Sequence, residues 1–174
     1  MAFLVYQNSE TTLWFVPAAA AQAENYAFEI HNIAAAAGRQ SAAWDRGVGA
    51  VPALYEWCAF VQFATAPVIS ETVDFYLKPM GSDASATAHP ANDDGTASAA
   101  VSAIAKLNNL HYLGSIVVDE AAQDIEMVAR GMCYLTARGY NIVMWNRTAD
   151  ALTNDVDENG FYMTPVPDQI QDDA

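Results

Sequence analysis

The residues best placed to do chemistry in this 174-residue chain are the acidic run Asp155-Val156-Asp157-Glu158-Asn159-Gly160. It matches the D-x-D-x-N-G opening of an EF-hand loop, whose alternate carboxylates ligate calcium. Such a loop takes its bidentate ligand from a Glu at the twelfth position. Here that position is Val166, and strand-like runs rather than helices flank the motif. The run reads as an acidic hairpin turn, with weak calcium binding as the functional alternative. The histidines, His31, His89 and His111, share no i, i+2 or i, i+4 spacing, whereas a zinc site needs three or four convergent ligands. They read as two strand residues and, for His89, a loop residue. Cys58 and Cys133 each lie inside an apolar strand-like run and read as small buried hydrophobes. No G-x-S-x-G elbow, phosphate-binding loop or dinucleotide fingerprint occurs. The 21 carboxylates would furnish a glycosidase pair almost anywhere, so their number points to no reaction. No enzyme activity, metal or cofactor is expected. Of the tryptophans, Trp57 alternates into a strand face and reads as core. Trp44 lies in the turn Ala43-Trp44-Asp45-Arg46-Gly47 and is the one expected as an exposed platform for stacking on a sugar.

The elements that would position these groups are strands. Apolar residues recur mostly at period two. In 55–63 one face carries Trp57, Ala59, Val61 and Phe63. In 72–78 Val73, Phe75 and Leu77 alternate with Thr72, Asp74 and Lys78, the pattern of an antiparallel strand with one wet face. Further strands are expected at 3–6, 12–16, 28–35, 110–118, 127–136, 140–146 and 161–166, so about eight or nine in all. Turn chemistry separates several of them: Ala37-Gly38-Arg39, Arg138-Gly139-Tyr140 and the hairpin-like Asn159-Gly160 step. The Ala-rich stretch 18–24 has helix propensity but is too short to be helical unless docked. Residues 81–100, rich in Ser, Ala, Asp and Thr, read as an exposed loop. The expectation is all-β: an antiparallel β-sandwich with at most one short helix. Its parts would be an N-terminal segment 1–27, a sandwich domain 28–170 and an acidic tail 171–174.

Composition sets the class of partner. The length suits one domain, able to bury roughly 70% of its unfolded surface without a metal or disulfide staple. Hydrophobic residues are 53% and charged residues 16%, the reverse of a disordered chain. Twenty-one acids against seven bases give a formal charge of −14. Nucleic acid and anionic membrane surfaces are therefore not expected partners, because both are bound through Lys and Arg. No apolar run approaches the ~20 residues of a membrane span, and the start lacks the basic residue of a secretory signal. Phe3, Leu4, Tyr6, Trp14 and Phe15 make the beginning of the chain unusually apolar. Together with Trp44 they are the candidate partner-binding residues.

From residue 34 onward the order of motifs is familiar. Ala36-Ala37-Gly38-Arg39-Gln40-Ser41-Ala42-Ala43-Trp44-Asp45 resembles an A-G-R-x-S-x-x-x-D segment that joins two strands of a jelly-roll-like sandwich in tailed-phage virion proteins. The strand 56–63, the run Glu71-Thr72-Val73-Asp74-Phe75-Tyr76-Leu77 and the loop after it resemble the same group. So do Leu113-Gly114-Ser115-Ile116-Val117-Val118-Asp119 and Asn146-Arg147-Thr148-Ala149-Asp150-Ala151-Leu152. The resemblance covers roughly residues 28–170 and is to capsid-associated proteins of the head decoration, or cement, kind. It implies a non-enzymatic protein on the capsid surface of a virion assembled in the host cytoplasm, with the major capsid protein and further copies of itself as partners. The first 27 residues depart from the pattern. The alternative expectation is a carbohydrate-binding sandwich of a phage tail or fibre.

Overall fold

The structure, a computed structural model, describes residues 11–20, 25–47, 52–80 and 98–166. Among these residues the strands are β1 Leu13–Val16, β2 Asn25–Ala27, β3 Gly38–Gln40, β4 Trp44–Asp45, β5 Leu54–Val61, β6 Thr72–Met80, β7 Ala99–Val101, β8 His111–Val117, β9 Met127–Tyr134, β10 Gly139–Asn146 and β11 Gly160–Pro165. They build two sheets, in the orders β2-β1-β11-β5-β9 and β7-β3-β10-β6-β8, with β4 pairing β10. Every pairing is antiparallel except β1 with β2. Set aside the short β2, β4 and β7, and eight strands remain. The first pairs the last, the second the seventh, the third the sixth and the fourth the fifth. That is a long hairpin wound into two four-stranded sheets, the jelly roll.

Alternation explains the core. Trp57, Ala59, Val61, Val73, Phe75, Leu77, Ile142, Met144, Phe161 and Met163 all face between the sheets and are buried in one cluster. Trp57 stacks parallel to Phe161, centroids 5.8 Å apart. At one edge its indole lies against Gly131 of β9 and Gly114 of β8. A Cβ on Gly131 would sit 2.8 Å from three indole atoms. Two glycines on neighbouring edge strands thus let both sheets close over one large ring. The thiols differ in placement. Cys133 belongs to this core, whereas Cys58 pairs in register with Tyr162 and Arg130 on the opposite face of the same sheet. Both are free and buried, and their opposed faces keep them apart. Burial pushes the Cys133 thiol up to about 12.

The six-stranded sheet is covered on its outer side as well. Tyr76, Val101, Leu107, Val143 and Trp145 form a second cluster beneath the 3-10 helix Ile104–Asn109. This is why β10 is buried at every position, as a strand with two covered faces must be. It also corrects the expectation of a wet face on β6. Asp74 and Lys78 point outward as the alternation requires, but are only 5% and 2% exposed. Lys78 Nζ donates to Gln40 Oε1 at 3.1 Å.

Other expectations fail for local reasons. Residues 28–35 form no strand, although Phe28, Ile30 and Ile33 are buried. Ile30 N–H bonds Phe28 O at 2.8 Å, and Asn32 and Ala36 have φ of 55° and 52°, so the chain turns instead of pairing. Gly38 and Arg39, expected in the turn Ala37-Gly38-Arg39, belong to β3. Asn159-Gly160 is no hairpin, because β10 and β11 lie in different sheets. Ala18 and Ala19 sit in a turn rather than a helix; Ala21 to Glu24 lie outside the described residues. The expected loop 81–100 ends in β7, and its first seventeen positions, 81–97, also lie outside them. The first expected strand, 3–6, falls outside as well. No helix among the described residues is long and apolar enough to cross a membrane.

Candidate interaction surface

A polar network joins several strands on the outer face of the six-stranded sheet. Asp74 of β6 pairs in register with Ser115 of β8. Its carboxylate accepts bonds from Ser115 Oγ, from Arg147 Nε and, at 3.1 Å, from the Tyr76 hydroxyl. Arg147 follows β10 directly, and its guanidinium also reaches the Tyr76 hydroxyl at 3.3 Å. The bonds to Asp74 and Tyr76 hold Arg147 above its ordinary value, while burial pushes the Tyr76 phenol up. Among the described residues no histidine or second carboxylate bonds to this network, and the serine meets a carboxylate already paired with arginine. A serine nucleophile needs an adjacent base able to take its proton. The arrangement is a latch across β6, β8 and the end of β10.

The latch carries an exposed aromatic. Register shifts between Phe75 and Tyr76, a bulge that re-aims the next β8 side chain. Tyr112 is thereby placed against Tyr76, ring centroids 5.4 Å apart and edge-on, and its hydroxyl bonds Ser115 Oγ at 2.6 Å. Tyr112 is nevertheless 53% exposed. Arg147 is 40% exposed beside it.

A second apolar feature lies next to β8. Residues 68–71 make a turn closed by Glu71 N–H to Val68 O at 3.3 Å. Ser70 adopts φ 75°, a conformation costly for a residue with a Cβ. The turn is tied to β8 by Ser70 N–H to Val118 O and Val118 N–H to Glu71 O, at 2.8 and 2.9 Å. Glu71 Oε2 also accepts the Ala149 N–H at 2.9 Å. Val68 and Ile69 stand out from this braced turn, each 55% exposed, as is Val117 at the end of β8. Among the described residues, every large apolar side chain that is exposed lies on this turn, on β8 or on β9, apart from Ile104.

The candidates from sequence are dispersed. Phe3, Leu4 and Tyr6 lie outside the described residues. Trp14 is half-buried on the outer face of the five-stranded sheet, ring centroids 4.8 Å from Tyr162. Phe15 is fully buried and is a core residue, not a contact residue. Trp44 is 4% exposed. It meets Phe15, Tyr55 and Tyr140 at 6.3, 5.5 and 6.3 Å. Its neighbours in sequence explain this burial. Asp45 takes a two-pronged bond from Arg138 at 2.9 and 2.8 Å, and Arg46 donates to the carbonyls of Leu135, Ala137 and Pro52. Asp45, held below its usual range chiefly by Arg138, faces solvent while Trp44 plugs the core. The N-terminal segment 1–27 contributes β1, which sits inside the five-stranded sheet between β2 and β11.

The acidic run around Asp155 is a connection between sheets. Asp157 N–H bonds Asp155 Oδ1 at 3.0 Å, and buried Asn159 accepts the Gln62 N–H at 3.1 Å. Burial, then Asp155 and Asp124, push the Glu158 carboxyl up. Among the described residues no three His, Cys, Asp or Glu side chains gather as a metal-ligating group. Tyr112, Val117, Val68, Ile69 and Arg147 were not singled out from sequence. The available signal was Pro67-Val68-Ile69-Ser70, two aliphatics in a turn-type setting.

No protein-family model matches the chain, and no curated protein is detectably similar to it.

Proposed function

We propose that the chain is a structural, non-catalytic protein of a tailed-phage virion, of the head-decoration kind, and that it binds the outer capsid lattice through β8 and the 68–71 turn. The observation that carries this reading is the immobilised Tyr112 beside half-exposed Arg147, flanked by Val117, Val68 and Ile69. Tyrosine and arginine dominate the binding energy of protein interfaces, and a side chain already held in place loses little freedom on docking. The jelly roll is a fold of capsid and lectin domains alike. The motif resemblance from residue 34 onward favours the capsid. A charge of −14 suits a protein facing away from packaged DNA. The partners in this reading are the major capsid protein and further copies of the chain, on the capsid surface of particles assembled in the host cytoplasm. The carbohydrate reading relied on an exposed Trp44 and has lost that anchor.

The test is co-sedimentation of the purified chain with capsids of the major capsid protein of the same phage. Tyr112→Ala is expected to weaken binding about thirtyfold, the loss of one strong anchor of about 2 kcal/mol. Ile69→Asp is expected to weaken it at least as much, with the melting temperature kept in both. Full binding by both variants would overturn the assignment of this surface.

A further inference from the structure

We infer that the outer face of the five-stranded sheet is a self-association surface, buried against the same face of a second copy across a two-fold axis. This inference does not rest on the capsid as partner and uses the opposite sheet. The register places its side chains in rows. Trp14, Tyr162, Cys58 and Arg130 share one row; Thr164, Glu56 and Met132 the next; Leu54 and Tyr134 the last. Phe60 and Val128 lie on the other side of the first row. Met132 is 58% and Tyr134 67% exposed, and Trp14, Leu54, Phe60 and Tyr162 are half-buried. Apolar area of this kind on a sheet face marks an interaction site.

Charge says what covers it. The strands of this sheet present two charged residues on that face, Glu56 and Arg130. Most other acids of the described chain lie in connections, among them Asp119, Glu120, Asp124, Glu126, Asp155 and Glu158. Two copies of so acidic a chain repel each other by most other approaches. This face is neutral as a whole. Tyr, Trp, Met and Arg are the residues enriched at interfaces, and acids are depleted there.

The two charges are also self-complementary. Glu56 stands opposite Met132, and Arg130 opposite Cys58, so they occupy neighbouring strands two residues apart along the sheet. A single two-fold axis lying between the two faces and bisecting that diagonal sets Arg130 of each copy over Glu56 of the other. Both ion pairs form at once, as an isologous interface requires.

The experiment is sedimentation equilibrium of the full chain, with circular dichroism and melting curves as fold controls. Wild type is expected to be a dimer at micromolar concentration. Glu56→Arg and Arg130→Glu, each alone, set like charges together and are expected to raise the dissociation constant at least tenfold. The two combined restore the pairs and are expected to return it to within about threefold of wild type. Met132→Asp with Tyr134→Asp is expected to give a folded monomer. A monomeric wild type, or a dimer unchanged by the single swaps, would overturn the inference, as would a combined swap that fails to restore association. Capsid binding through Tyr112 would survive any of those results, so the two surfaces fail separately.

Discussion

Removing Arg147 probes the latch that holds Tyr112. Asp74 is 5% exposed and takes three donors, of which Arg147 alone is charged. Arg147→Met keeps the stem and deletes the cation. Breaking a fully buried ion pair costs about 3–5 kcal/mol, because the remaining charge is stranded. Here Arg147 is 40% exposed, so water enters where the guanidinium was. The loss then approaches that of one charged hydrogen bond, about 1.5–3 kcal/mol, and about 2 kcal/mol is the expected value. Asp74→Asn should also destabilise, since its amide matches two of the three donors poorly. The double variant should cost less than the sum of the singles by at least about 1 kcal/mol, as for groups in direct contact. Urea unfolding with the slope held constant measures each. A cost for Arg147→Met below about 0.5 kcal/mol, the level of an ordinary surface change, or strict additivity in the cycle, would refute the latch.

Three further outcomes follow from the packing. Gly131→Ala drives a Cβ to 2.8 Å from a rigid, buried indole and should cost about 1–3 kcal/mol by overpacking; chemical denaturation showing less than about 0.5 kcal/mol would mean that β9 shifts freely over Trp57. Asp45 is lowered by its Arg138 bond, so its contribution is present above the unfolded carboxyl value near 3.9 and is lost as pH falls through the lower folded value. Both side chains are about a third exposed, so Asp45→Asn should change stability at neutral pH by under about 1 kcal/mol and the difference should vanish in acid; a difference that grows in acid contradicts the sign. Cys133, pushed up to about 12 by burial, should resist a thiol reagent in the native state at pH 8, and both buried thiols should react with it only after unfolding; prompt native labelling of Cys133 would show that this part of the core opens.

The fold was legible where a strand is long and half-buried. Trp57, Ala59 and Val61 declare the inner face of β5 by their spacing, and Val73, Phe75 and Leu77 do so for β6. Strands of two or three residues, such as β3, β4 and β7, cannot be read this way. They exist because Gly38, Trp44 and Val101 find partners far along the chain, and two residues show no period. The burial of Asp74 and Lys78 was hidden for a related reason. Alternation says which way a side chain points but not whether the 3-10 helix Ile104–Asn109 will cover that side. Trp44 misled because Gly47 and the charged neighbours Asp45 and Arg46 are surface signals, and here those charges are spent fixing the turn that seats the indole. Tyr112 was missed because a bulge, invisible in composition, decides its direction.

The capsid assignment is tested most directly by cryo-electron microscopy of capsids with and without the added chain. The expected difference density is a jelly roll on the outer surface, oriented with β8 and Val68-Ile69 against the shell and the acidic connections away from it. A difference map with no added density, or one with Tyr112 and the 68–71 turn facing solvent, would contradict it.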